Sequence, residues 1–143
     1  NITPKVTVKY KNITLREGID YKVVYKNNKK IGTAKIYVIG LNNFKDSNTY
    51  KMKIIPAKTK ITKKKATKKK ITLKLKKVKG ATGYQVVYSL KKNFKGKKNI
   101  NTKKRTVVIK RKKSGKYYVK VRAYKKIGKK YVYGNYTKRI TIK

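Results

Sequence analysis

Val78-Lys79-Gly80-Ala81-Thr82-Gly83-Tyr84-Gln85-Val86-Val87-Tyr88-Ser89 is the stretch on which the fold of this chain turns. A turn of small residues, Gly80 to Gly83, opens a segment in which Tyr84, Val86 and Tyr88 alternate with Gln85, Val87 and Ser89. Period-2 alternation after a glycine-rich turn marks a half-buried β-strand, with the first set inward and the second outward. Gly115-Lys116-Tyr117-Tyr118-Val119-Lys120-Val121-Arg122-Ala123-Tyr124 repeats the pattern. Tyr117, Val119, Val121 and Ala123 fall on one face, and Tyr118, Lys120, Arg122 and Tyr124 on the other.

Outward from these two segments, residues 57–143 read as seven short strands at 58–62, 70–77, 84–90, 97–101, 105–110, 116–124 and 137–143. Strands at this spacing, with turn residues between them, predict an antiparallel β-sandwich. Ile71, Leu73 and Leu75, then Val107 and Ile109, then Ile140 and Ile142, complete the expected core. The lysine run from Lys63 to Lys70 reads as a loop, and Tyr131, Tyr133 and Tyr136 as part of a connection. No helical periodicity appears.

Residues 1–56 form a first unit. Pro4 to Tyr10 alternates through Val6, Val8 and Tyr10. Tyr21 to Tyr25, Gly32 to Ile39 and Thr49 to Ile55 alternate in the same way, with turns at Asn27-Asn28 and Gly40 to Phe44. Asn tolerates the left-handed backbone that such turns use. Pro56 sets the boundary, since proline suits a strand edge or a connection. The fold class expected is therefore all-β, with two tandem small antiparallel β-sandwich domains, 1–56 and 57–143.

The second unit resembles the fibronectin type III-like modules of Gram-positive bacterial surface proteins. By that resemblance Tyr117 occupies the tyrosine-corner position, whose hydroxyl ties back to nearby backbone, and Leu75 stands near the place of the family's tryptophan. The first unit resembles a bacterial Ig-like repeat through Pro4-Lys5-Val6-Thr7-Val8, Gly18-Ile19-Asp20-Tyr21, Tyr25-Lys26-Asn27-Asn28, Val38-Ile39-Gly40 and Asn43-Phe44. That family has a further strand, with a Tyr-Thr-Gly-like start, before the position of Ile2. A neighbouring segment is expected to supply it by β-addition if it is not simply truncated. The resemblances imply an extracellular place at a bacterial cell surface or cell wall, among neighbouring domains of a longer protein.

Charge is the extreme property. There are 46 Lys and Arg against three acids, Glu17, Asp20 and Asp46, for a net charge of +43. Residues 1–56 hold 12 of the basic residues and all three acids, whereas residues 57–143 hold 34 basic residues and no acid. An AT-rich coding sequence accounts for Lys over Arg but not for the missing acids. Self-repulsion on this scale disfavours association of like copies and is relieved by a polyanion.

Composition also excludes chemistry. With no His and no Cys, the usual general base, thiol nucleophile and soft metal ligands are absent. Three scattered carboxylates make neither a calcium cage nor a catalytic pair, and Asp20 reads as a turn residue bonding nearby backbone. No catalytic residue, no metal site and no cofactor are expected, and no transmembrane segment is visible. Polyanion binding is expected at Lys63, Lys64, Lys65, Lys68, Lys69 and Lys70, at Lys103, Lys104 and Arg105, at Lys110, Arg111, Lys112 and Lys113, and at Lys120 and Arg122. Tyr118 and Tyr124 form an expected aromatic face, of the kind that grips sugars or bases or simply stabilises a sheet. The expected partner is an anionic wall polymer such as teichoic acid, with DNA or a homo-oligomeric fibre built by strand addition as alternatives.

Overall fold

The computed structural model describes residues 1–143, all of them in strands, turns or irregular segments, with no helix. The chain forms two compact units, Asn1–Ile54 and Ile55–Lys143. All sheet pairing is antiparallel.

In the first unit, β1 (Lys9–Tyr10) and β2 (Ile13–Thr14) make a short ribbon, and β3 (Tyr21–Lys26), β4 (Gly32–Gly40) and β5 (Ser47–Ile54) make a three-stranded sheet. The turn between β1 and β2 is Lys11-Asn12, both at positive φ (44° and 68°), the backbone of a two-residue hairpin that matches strand twist. Tyr21, Ala34, Ile36 and Ile54 are its buried apolar side chains. Asn27 and Asn42 take left-handed backbone at the two expected turns.

The alternation from Pro4 to Tyr10 does not make a strand beyond Lys9–Tyr10. Side chains of β3 hold that segment instead. The Tyr25 hydroxyl donates to the Pro4 carbonyl at 2.6 Å and the Tyr21 hydroxyl to that of Val6 at 3.2 Å. Farther along, Ile2 N–H donates to the Asn28 carbonyl at 2.9 Å. The tyrosines of the pattern satisfy backbone that a ladder would otherwise satisfy.

The second unit packs two sheets around one core. β6 (Ile61–Ala66), β7 (Lys70–Leu75) and β10 (Thr106–Lys110) form one sheet, in the order β10-β7-β6. β8 (Gly83–Ser89), β9 (Lys98–Thr102), β11 (Tyr117–Ile127) and β12 (Lys130–Tyr133) form the other in the order β12-β11-β8-β9, and β13 (Ile140–Ile142) also pairs with β11. Ile71, Leu73, Leu75, Val86, Val107, Ile109, Val119 and Val121 close the space between the sheets, each almost fully buried. Leu75 thus sits in the core. The Tyr117 hydroxyl donates to the Lys113 carbonyl at 3.1 Å, four residues upstream. Tyr84 reaches across in a similar way, donating to the Lys76 carbonyl and accepting from Val78 N–H.

Two expectations for this unit are corrected. Lys63, Lys64 and Lys65 are not in a loop: they lie on β6, paired with Lys74, Leu73 and Thr72 of β7. An edge strand has solvent on several sides, so unbroken polarity does not prevent pairing. Tyr131 and Tyr133 are on a strand, β12, because Gly128-Lys129 makes a two-residue hairpin from β11. Pro56 is buried in the second unit, where its carbonyl lies against Gly134.

Candidate polyanion interface

The face of β8 and β11 turned away from the core carries the largest surprise. Gln85, Val87 and Ser89, expected outward and wet, are buried. A second layer covers them, built from Phe94, Tyr133 and Tyr136 around the cations of β11. Lys120 Nζ lies 4.4 Å from the Phe94 ring centre and 4.5 Å from that of Tyr136. The Arg122 guanidinium lies 3.7 Å from the Tyr133 ring and 4.4 Å from the Tyr136 ring. Arg139 lies 5.4 Å from the Tyr118 ring. Gln85 joins the ladder, its Oε1 accepting from Arg122 Nε at 2.8 Å and from the Tyr136 hydroxyl at 3.0 Å.

Tyr124 was expected on an exposed aromatic face. It is buried, at 5 % exposure. Its register partner is Gly83, and a Cβ at that glycine would stand 2.6 Å from the Tyr124 hydroxyl, so the ring occupies the room the glycine leaves. Tyr131 and Tyr133 pack against it edge-on at 5.2 and 6.1 Å. Burial, and then the neighbouring Tyr131 and Tyr133, raise the Tyr124 hydroxyl above the ordinary tyrosine range. Burial raises that of Tyr136 too, with Arg122 pulling against it and Tyr133 adding to it. Tyr118 is half-buried, and Tyr131 is the aromatic that reaches solvent here, at 41 % exposure.

Lys120 and Arg122 are therefore partly committed to their own aromatics. Phe94 is the member of this ladder that the sequence pattern left unassigned; Tyr133 and Tyr136 were expected in a connection beside it. Phe94 takes positive φ (59°), an unusual backbone for a bulky residue, and this turn brings its ring to Lys120. Nothing in a single-sequence pattern marks a non-glycine residue for that conformation.

The other expected cations divide clearly. Lys63, Lys64, Lys65, Lys68, Lys69 and Lys70 are exposed along β6 and the turn into β7, and Lys103, Lys104 and Arg105 are exposed in the β9–β10 connection. Arg111 is different from its neighbours. Its fork donates to the carbonyls of Thr67, Gly115 and Lys143, and its guanidinium lies 5.2 Å from the Tyr117 ring. Its donors fasten loops together, so it is a fastening and not a free binding group. Lys110, Lys112 and Lys113 are brought beside Lys91, Lys95 and Lys98, around a groove of about 620 Å³. Its apolar lining is Tyr88, Leu90, Ile100, Val108 and Tyr117.

Acidic groups do little against this field. The single ion pair joins Arg16 to Asp20 at 3.4 Å, and Asp20 also accepts from Arg16 N–H at 2.8 Å, closing its turn. No three His, Cys, Asp or Glu side chains gather. No helix is long and apolar enough to cross a membrane. No protein-family model matches the chain, and no characterised protein matches it either.

Proposed function

We propose that this chain is a non-catalytic, extracellular spacer and attachment segment of a bacterial surface protein, holding an anionic wall polymer on its lysine-rich surface. The observation that carries the reading is charge without internal compensation. Of 46 basic residues, one is paired with an acid, and the unit from Ile55 to Lys143 holds no acid at all. Such a surface gains by exchanging small counterions for a polyanion, with affinity that falls as salt rises. Lysine suits this task as a flexible point charge, and holds phosphates without the planar selectivity of arginine.

Two structural details support the module reading. The second unit sets β6, β7 and β10 against β8, β9, β11 and β13, an arrangement that fits a fibronectin type III-like sandwich. The Tyr117 hydroxyl bond to backbone fits the tyrosine corner of that family. The Ig-like reading of the first unit rests on its turns and on the buried Tyr21, Ala34 and Ile36.

The test is retention of the purified chain on teichoic acid, double-stranded DNA and an uncharged wall glycan across a salt series. Teichoic acid binding that outlasts DNA binding at physiological salt is the expected result. Equal loss from both polyanions would reduce the surface to a generic cation. Salt-insensitive binding to the neutral glycan would overturn the electrostatic reading altogether.

A further inference from the structure

The hydrogen bonds of β10 have a parity. Leu75 N–H donates to the Arg105 carbonyl, and Arg111 N–H donates to the Lys69 carbonyl. With the register Thr106↔Lys74 to Lys110↔Lys70, these bonds make Arg105, Val107, Ile109 and Arg111 the residues that bond β7. In an antiparallel pair the alternate residues aim their N–H and C=O the other way. Thr106, Val108 and Lys110 therefore direct theirs away from β7. β10 is the last strand of its sheet, so that row faces no strand.

The space beside that row is the groove. Val108 and Lys110 line it from β10, and Lys98 and Ile100 from β9, the last strand of the other sheet. Ile100 pairs with Val86 and Lys98 with Tyr88, so both share the core-facing side of their sheet. The floor is apolar, and Val108 and Leu90 are 47 % and 43 % exposed. Ser89 Oγ, the polar group in its wall, is spent on the Lys95 carbonyl and Lys91 N–H. The rim carries six lysines and no acid. An exposed backbone row above an apolar floor is what an added strand uses: main-chain bonds for affinity and alternate side chains for specificity. A simple polymer of phosphates would leave both unused.

We propose that the free edge of β10 and its groove receive an extended acidic peptide of a partner protein as an added strand. Alternate apolar side chains would lie on Ile100 and Tyr88, on the core side of the edge, with acidic ones between them on the outer face that Val108 and Lys110 share, meeting Lys110. A second copy of this chain is the wrong occupant. None of its strands carries an acid, and its edge strands β3, β5, β6, β9 and β12 each carry lysine. This inference stands apart from the wall-polymer reading, because it depends on backbone geometry that a polymer of phosphates does not engage.

The test titrates the isotope-labelled chain with a short capped peptide of alternating Asp and Val, and with the same peptide N-methylated on the backbone at its central Val and at the Asp beside it. Methylation keeps the charge and, at two successive residues, removes a donor that faces β10 whichever way the peptide runs. Saturable binding, weakened roughly tenfold or more by the methylation, is expected. Amide exchange should slow at Thr106, Val108 and Lys110. On the protein side, Val108→Pro spares the bonds to β7, since Val108 N–H is not among them. It should abolish peptide binding while retention on polyphosphate persists. Equal affinity for the two peptides, or no slowing on β10, overturns the proposal. So does an alkyl carboxylate that takes the groove in preference to the peptide. If polyphosphate retention fails while the peptide binds, the wall-polymer reading falls and this one stands.

Discussion

Replacing Arg122 probes the ladder on the outer face most directly. Its guanidinium lies 3.7 and 4.4 Å from two tyrosine rings, and its Nε donates to Gln85 at 2.8 Å. Partly desolvated cation–π contacts are worth about 0.5–2 kcal/mol each. A hydrogen bond with a charged partner contributes about 1.5–3 kcal/mol, and the terms overlap instead of adding. The Tyr136 hydroxyl still donates to Gln85 Oε1 after the change, so no buried acceptor is orphaned, which limits the loss. We expect Arg122→Ala to cost about 2–3 kcal/mol and Arg122→Met, which keeps most of the packing, about 1–2 kcal/mol. For a domain of this size, the alanine loss corresponds to a drop of roughly 10–20 °C in Tm. The assay is urea unfolding of the second unit, followed by tyrosine fluorescence in about 0.3 M salt, where removing one positive charge matters least. An Arg122→Met variant within about 0.5 kcal/mol of the parent would refute the reasoning. The rings would then contribute packing and no attraction for the cation.

Two further outcomes follow from the same face. Gly83→Ala places a Cβ 2.6 Å from the Tyr124 hydroxyl and 2.5 Å from the Thr102 carbonyl oxygen. The overpacking should lower the unfolding free energy by about 1–3 kcal/mol, read as a lower urea midpoint, and weaken the near-UV tyrosine dichroism, and an unchanged midpoint would mean the ring is not seated on the glycine. Tyr124 and Tyr136 hold their protons above the ordinary value of 10.0, so their stabilisation is present below pH 10 and is lost as pH rises through their folded values. Absorbance titration at high pH should show two tyrosines ionising late in the native chain but not in urea. Because Arg122 lowers Tyr136, Arg122→Met should delay that residue further.

Much of the fold is legible in local pattern. The alternation of Tyr84 to Tyr88 and Tyr117 to Ala123 marks β8 and β11 and their core faces, and the spacing of turn residues marks most other strands. The candidate site is less legible, for one physical reason. Period 2 says which side chains share a face but not whether something distant covers it. Val87 and Gln85 read as solvent-facing because the rings above them come from Phe94, in the turn after β8, and from Tyr133 and Tyr136, far along the chain. Arg111 and Lys112 are adjacent and chemically similar in sequence. Only the closing of loops from Thr67, Gly115 and Lys143 around Arg111 separates a fastening from a free cation. The Pro4 to Tyr10 pattern misleads in the opposite direction, because tyrosine hydroxyls satisfy its carbonyls in place of a neighbouring strand.

The lysines of β6 have a consequence for life at high density. Modules strung along one polypeptide meet at concentrations far above those of free proteins, most dangerously while nascent and half-folded, when one module's open strand can zip onto its neighbour's. An edge bearing Lys63, Lys64 and Lys65 in succession makes that mispairing costly for any neighbour of similar charge. The cost falls on the wrong partner alone, since β7 already fills the other side of β6.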